Sequence, residues 1–183
     1  MTIMMRRVVR RVLLVGLLTA TAVVTCGGLG HAQDRWGAGT DIGFWSGTVD
    51  GTVFALGANL DYYVDRAFSV GPMLLLAPAG DLTQIAVAGA ARYHFQVDDV
   101  NIVPLVGIGF VHADLDRGSG AGRIERSDTS HFIPLGMTVE YQANSKLALA
   151  GTVMVNLHDL NLNPPVPRDR TSVAVMFGVR FGP

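Results

Sequence analysis

The chain has 183 residues, of which almost half are apolar, and its 14 basic and 15 acidic residues give a formal net charge of −1. The basic residues form no stripe that could follow a phosphate backbone, so we expect no nucleic-acid partner. A single cysteine excludes an intramolecular disulfide.

The first 32 residues predict a cleaved secretory signal peptide. Four arginines and no acid lie within residues 1–11, an apolar run covers residues 12–24, and the small residues Gly30 and Ala32 follow. This order of charged, apolar and small residues is typical of such a signal, with cleavage after Ala32. The apolar run is shorter than the roughly 20 residues that a spanning helix needs.

Two variants of the signal stay open. Arg10 and Arg11 weakly resemble a twin-arginine signal, and residues 23–26 weakly resemble a lipoprotein cleavage box ending at Cys26. If neither applies, the mature domain of residues 33–183 contains no cysteine. It keeps 10 basic residues and all 15 acidic ones after the four arginines are removed, which gives a formal charge of −5.

Side chains of the mature chain alternate with period two, which predicts strands and not helices. In the last run the large side chains share one face: Val173, Val175, Phe177, Val179 and Phe181. Small residues and one arginine share the other face, which indicates a strand between lipid and a narrow lumen. Turn residues divide the chain into eight predicted strands at residues 36–46, 51–64, 67–77, 82–97, 100–113, 131–142, 145–158 and 171–181.

The connections alternate in length. Short turns near residues 65–66, 98–99 and 144–145 alternate with longer links, among them 114–130 and 159–170. The predicted fold is therefore all-β, an eight-stranded antiparallel up-and-down transmembrane β-barrel whose short turns are periplasmic. We expect a monomer in the outer membrane that contacts membrane lipid, and that meets an extracellular or host ligand through loops 114–130 and 159–170.

Aromatic residues on the outward face give an independent indication. They concentrate near the strand ends, where amphipathic rings favour the membrane–water interface. The predicted belt at the short turns contains Trp36, Tyr62, Phe68, Tyr93, Phe95, Tyr141 and Phe181, and the belt at the long loops contains Phe44, Phe54 and Phe110.

Charged residues of the opposite parity predict a polar network inside the lumen. An eight-stranded barrel is filled by its own side chains, and buried charges need partners. Three acids and three bases form the predicted network: Asp41, Asp61, Arg92, Glu140, Lys146 and Arg180. A stabilising plug is the structural interpretation, and a proton path, ion path or gated pore is the functional one.

Two groups of residues are candidates for a metal site or a catalytic site. His112, Asp114 and Asp116 alternate beside a loop and offer donors for a divalent cation, but an acidic solvated loop is the preferred interpretation. Ser130 and His131 are adjacent, and adjacent strand residues point to opposite faces. We therefore predict no catalytic residue, no metal site and no cofactor.

Three prolines interrupt the predicted strands. Pro104 and Pro134 lie near strand ends, where the missing ladder donor is tolerated. Pro72 lies in mid-strand, which predicts an irregular register there.

Several segments resemble small outer-membrane β-barrel proteins of the OmpA/OmpX-like type. They are Y-Y-V-D-R-A-F-S-V-G-P at 62–72, N-I-V-P-L-V-G-I-G-F at 101–110, V-E-Y-Q-A-N-S-K-L-A-L-A-G at 139–151 and V-A-V-M-F-G-V-R-F at 173–181. The resemblance implies an eight-stranded barrel in a Gram-negative outer membrane, with roles such as envelope integrity, adhesion or host contact. No catalytic residue carries over. The chain departs from the family at its end, where Gly182 and Pro183 follow the last aromatic residue.

A non-enzymatic barrel acting through its extracellular loops is the leading hypothesis. One alternative is a lipid-modifying barrel enzyme, although no histidine is followed two residues later by serine, the arrangement expected of barrel deacylases and phospholipases. The other alternative is a soluble lipocalin-like barrel that binds an apolar ligand, which requires the inverse parity.

Overall fold

A computed structural model of the chain describes residues 35–48, 50–118, 124–160 and 169–182. Within these ranges nine antiparallel strands occur: β1 (Trp36–Thr48), β2 (Gly51–Tyr63), β3 (Phe68–Pro78), β4 (Leu82–Tyr93), β5 (Phe95–Val97), β6 (Val100–Arg117), β7 (Ile124–Asn144), β8 (Leu147–Leu160) and β9 (Asp169–Phe181). None of the described residues forms a helix long and apolar enough to cross a membrane. The predicted signal peptide lies outside the described residues and stays a prediction.

The strands close into one barrel. Strands that follow each other in the chain are paired, except that β4 and β5 do not pair with each other. Strand β1 pairs with β9 from Ala38↔Phe181 to Ser46↔Val173, which joins the two ends of the sheet. The predicted fourth strand is interrupted at His94, but both of its parts, β4 and β5, pair with β6. The structure is thus the predicted eight-stranded antiparallel barrel, with its fourth strand in two segments.

Side-chain parity separates an apolar exterior from the lumen. Valine, leucine, isoleucine and phenylalanine side chains on the outer face are exposed, up to 72% for Ile108 and 71% for Phe110. The inward positions carry mainly small, medium-sized or polar side chains, which the narrow lumen accommodates. A soluble lipocalin-like barrel would need the inverse arrangement, so that alternative does not fit.

The aromatic residues form the two predicted outward groups at the strand ends. Near the short turns the ring centroids of Trp36 and Tyr62 are 5.1 Å apart, and those of Tyr93 and Phe95 are 4.5 Å apart. Near the long connections a second pair of rings, contributed by β1 and β2, lies 6.4 Å apart. Outward rings therefore contact each other across β1 and β2 at both edges of the apolar band, and along the fourth strand at the short-turn edge.

Pro72 lies within β3, and the irregular register expected around it does not occur. It faces Gly89 in the β3–β4 pair, and the β2–β3 pairing resumes in the same register on both sides of it, at Asn59↔Met73 and Tyr62↔Val70. Proline lacks the N–H that would complete the ladder, so the proline removes pairing locally and leaves the alignment unchanged.

The connection between β6 and β7 corrects the prediction of a loop at 114–130. The two strands continue to the pair Arg117↔Ile124, so most of this segment is a β-hairpin. Leu115 faces Leu82 across the β4–β6 pair, and both side chains are buried. The neighbouring acids suggested a solvated loop, but the inward apolar residues continue the strand. The next predicted loop, 159–170, is also shortened at both ends. Strand β8 continues to Leu160, and strand β9 begins at Asp169.

Candidate functional site in the barrel lumen

The lumen near the long connections is apolar. Trp45 on β1 and Phe132 on β7 are fully buried, and their ring centroids lie 6.0 Å apart. Leu82, Val111 and Leu160 are buried in the same hydrophobic core. The polar filling predicted for the whole lumen therefore does not extend through this half of the barrel.

A small polar cluster centred on Ser172 lies within this apolar half. Its Oγ accepts a hydrogen bond from Trp45 Nε1 at 2.6 Å and lies 3.1 Å from His158 Nε2 and 3.5 Å from Asn156 Nδ2. Both Ser172 and His158 are buried, at 1% and 4% exposure, so a substrate acyl group cannot approach the serine. The cluster brings buried polar groups within hydrogen-bond distance of one another and fixes the indole. Sequence reasoning missed it, because Trp45 and Ser172 are 127 positions apart and meet only when β1 lies beside β9.

The lumen near the short turns contains most of the predicted charges. Arg92 on β4 and Asp61 on β2 form a buried ion pair in which an Arg92 nitrogen donates to Asp61 Oδ1. Asn59, also inward on β2, donates from Nδ2 to Asp61 Oδ2 at 2.7 Å. Both Asp61 oxygens therefore have partners, as a buried carboxylate requires.

A second chain of contacts crosses the lumen from β1 to β7. Arg180 on β9 donates from Nη1 to Asp41 Oδ1 at 2.9 Å, and its Nε lies 3.9 Å from Glu140 Oε1. Glu140 in turn accepts a 2.9 Å hydrogen bond at Oε2 from Asn101 Nδ2. One guanidinium thus lies between two carboxylates, with a shorter contact to Asp41.

His94, at the break between β4 and β5, extends this chain. Asn101 Nδ2 lies 3.0 Å from His94 Nδ1, and Ser69 Oγ lies 2.9 Å from His94 Nε2. Because an amide nitrogen only donates, Nδ1 is the acceptor, and the imidazole is neutral with its proton on Nε2. The Tyr63 ring packs against the imidazole with centroids 5.1 Å apart. The strand break therefore places a neutral histidine beside the charged groups.

Lys146 is the one predicted network residue that lies elsewhere. It is exposed in the turn before β8, whereas Asp41, Asp61, Arg92, Glu140 and Arg180 lie inside the barrel. The lysine still borders a cavity of about 20 Å³ whose wall includes Asp61, Glu140 and Arg180. Strand β8 begins at Leu147, two residues later than the predicted start at residue 145, so the lysine lies in the turn and its side chain reaches the barrel mouth and not the lumen.

Two further cavities lie along the lumen axis. At the short-turn end a cavity of about 650 Å³ is lined by residues of the turns and by Tyr63, His94, Asn101 and Glu140. Deeper in the barrel, a cavity between the two arginines measures about 20 Å³, enough for about one water molecule. The lumen therefore has a polar open mouth and narrows sharply inside.

The exterior candidates for chemistry do not assemble into a site. His112 Nε2 lies 3.2 Å from Asp114 Oδ2, and its Nδ1 lies 2.7 Å from a threonine hydroxyl on β7. Among the described residues no group of three or more metal-binding side chains is found. Ser130 Oγ lies 3.4 Å from His131 Nδ1 and accepts the backbone N–H of Asp159 at 2.9 Å. The Ser130 hydroxyl therefore links β7 to β8 as a hydrogen-bond acceptor.

Comparison with solved structures gives the fold. The chain is similar to Neisserial surface protein A, with 16% identity, a TM-score of 0.61 and coverage of 80% of this chain and 95% of that chain. It is also similar to the N-terminal β-barrel domain of Pseudomonas aeruginosa OprF, with 13% identity, a TM-score of 0.55 and coverage of 81% and 97%.

A third similar structure is Ail, the attachment invasion locus protein of Yersinia pestis, solved with the heparin analogue sucrose octasulfate. It has 13% identity, a TM-score of 0.52 and coverage of 80% of this chain and 97% of that chain. No protein-family model and no curated protein matches the chain. The fold is that of small eight-stranded outer-membrane β-barrels, which confirms the fold prediction.

Proposed function

We propose that this chain is a non-enzymatic, non-conducting outer-membrane barrel that makes contacts outside the cell through the β6–β7 hairpin. The observation that carries the proposal is the length of this hairpin. It pairs from Phe110↔His131, at the aromatic edge, to Arg117↔Ile124. Seven further residues on β6 extend the hairpin by roughly 20 Å along the strand.

The hairpin offers a surface for contact on one edge. Pairing of β7 with β8 ends at Ile133 among the described residues, so the backbone of β7 beyond it is not paired with β8. Such an edge presents N–H and C=O groups that can pair with an extended segment of another protein. The outward face adds His112 and Asp114, which are about half exposed.

The closed lumen supports a role without conduction. Trp45, Phe132 and Leu160 bury an apolar layer across the barrel near the long connections. Ions crossing this layer would lose their hydration, which its mainly apolar side chains do not replace. Purified protein in planar bilayers is expected to show no steady conductance, and a stable open channel would contradict this part of the proposal.

A lipid-modifying enzyme is the alternative function. The serine and histidine that approach each other, Ser172 and His158, are buried inside the barrel and away from lipid. Incubation of the purified protein with labelled phospholipid and lipopolysaccharide is expected to yield no product. Conversion by the wild type that is lost in Ser172→Ala would establish the enzyme instead.

Shortening the hairpin tests the contact role. Residues 114–127 are replaced by Asn-Gly, which forms a two-residue hairpin turn. Cells displaying the intact protein are expected to adhere to an epithelial layer, and cells with the shortened hairpin are expected to lose this adhesion. Heat-modifiability on a gel shows that both barrels are folded. Equal adhesion by the two forms would refute a role for the hairpin.

A further inference from the structure

The described charges in the short-turn half of the lumen do not balance. Three carboxylates, Asp41, Asp61 and Glu140, face two guanidinium groups, Arg92 and Arg180. The neighbouring histidine is neutral because its Nδ1 accepts a hydrogen bond. Lys146, the third predicted cation, is exposed at the mouth, so the formal charges inside the lumen leave one excess negative charge when all three carboxylates are ionised.

Glu140 carries most of this excess. Arg92 contacts Asp61 directly, and Arg180 approaches Asp41 to 2.9 Å but Glu140 only to 3.9 Å. The Glu140 side chain is about nine-tenths buried, where an incompletely neutralised carboxylate is costly. A further positive group beside Glu140 would therefore stabilise the cluster.

The mouth cavity provides the space for such a group. Glu140 and Asn101 line this cavity of about 650 Å³. Asn101, which donates to Glu140 Oε2, is only 8% exposed, so the Glu140 carboxylate is held at the inner wall of the cavity. A buried carboxylate whose nearest arginine nitrogen is 3.9 Å away favours a ligand that carries positive N–H donors.

The remaining wall suits an organic cation. The volume lies in the range of small-molecule sites and is much larger than a bare ion requires. Tyr63 contributes an aromatic ring, which attracts cations over its face. Arg66 and Asp99 at the rim offset each other, so Glu140 sets the net sign of the wall.

We propose that the mouth cavity at the short-turn end binds a small organic ammonium ion, with Glu140 as its anionic anchor. The ammonium group donates to Glu140, and the aliphatic part lies along Tyr63 and the amide side chains of the wall. Because the short turns surround the opening, the ligand enters from their side of the membrane. Lys146 borders the adjoining small cavity and competes with the ligand as a tethered ammonium.

The test is a titration of the full protein, purified in non-ionic detergent, with n-butylammonium, followed by backbone NMR shifts. We expect saturable shifts at Tyr63, Asn101 and Gln142, and no comparable binding of butyrate or butanol. Glu140→Gln keeps the size of the side chain and is expected to weaken binding about tenfold or more. Asp98→Asn is the matched control, because Asp98 is an exposed acid on the same side that does not line the cavity.

The titration has results that support the ammonium site and results that overturn it. Binding of the ammonium ion alone, weakened by Glu140→Gln and unchanged within about twofold by Asp98→Asn, supports the site. Absence of saturation in the wild type, or equal affinity for butyrate or butanol, overturns it even if Glu140→Gln fails to fold. Unchanged affinity in a folded Glu140→Gln protein also overturns it.

Discussion

The Arg92–Asp61 ion pair provides the sharpest test of how the lumen stabilises the barrel. Both side chains are 7% exposed and make direct contact inside the barrel. Replacing Arg92 with leucine leaves Asp61 buried, with the 2.7 Å hydrogen bond from Asn59 still in place. A buried carboxylate that has lost its cation is strongly unfavourable, whereas the leucine itself fits an apolar neighbourhood.

The magnitude follows from the cost of breaking a buried pair. Removing one partner costs about 3–5 kcal/mol, and the hydrogen bond from Asn59 lowers the expected loss to about 3 kcal/mol. Removing both charges in Arg92→Leu/Asp61→Leu restores part of this loss, because no buried charge is left without a counterion. The double variant is therefore expected to be more stable than Arg92→Leu alone.

The assay is urea unfolding in detergent, followed by the gel shift between folded and unfolded barrel. The free energies of unfolding of the wild type, both single variants and the double variant form a cycle that isolates the pair. Arg66→Leu is the matched control, since Arg66 is exposed in a short turn and should change stability by less than about 0.5 kcal/mol. Equal stability of Arg92→Leu and the wild type would refute a stabilising lumenal pair.

Three further predictions use the same unfolding assay. Trp45→Phe removes the 2.6 Å indole hydrogen bond to the serine on β9 and is expected to cost about 1–2 kcal/mol. At Gly109 an added Cβ would lie 1.9 Å from a carbonyl oxygen of β4, whereas at Gly89 it would meet nothing within 4 Å. Gly109→Ala should therefore reduce the folded yield and Gly89→Ala should not. Lys146→Ala is expected to change stability by less than about 0.5 kcal/mol, and a larger loss would place the lysine in the network.

Period-two alternation was sufficient to predict the barrel and its two faces. Lipid accepts large apolar side chains and the narrow lumen accepts small or polar ones. The alternation of side chains within a single strand therefore shows which face meets lipid and which faces the lumen. The length of the β6–β7 hairpin was harder to predict from the sequence than the barrel itself. Ala113 and Leu115 continue the inward apolar pattern, but Asp114, Asp116 and the glycines that follow suggested a loop.

The inward or outward parity of side chains predicted only part of the candidate site. Inward parity identified the charges on β1, β2, β4, β7 and β9, but parity alone does not say which of them meet. Asn101 and Ser69, which hold His94, were not predicted, because a single neutral polar residue on an inward position is common in any barrel. The ligand-sized mouth arises from the strand break and the surrounding turns, which no local pattern describes.

The sequence by itself therefore determined the strands, their inward and outward faces and the aromatic edges, because these depend on neighbours along the chain. Only the tertiary structure decided the contacts. Closure of β1 against β9 brings Asp41 within 2.9 Å of Arg180, a residue 139 positions away, and the register of that pair sets the distance. The same closure leaves Lys146 outside and Glu140 short of a cation, since the start of β8 fixes how far the lysine lies from the lumen.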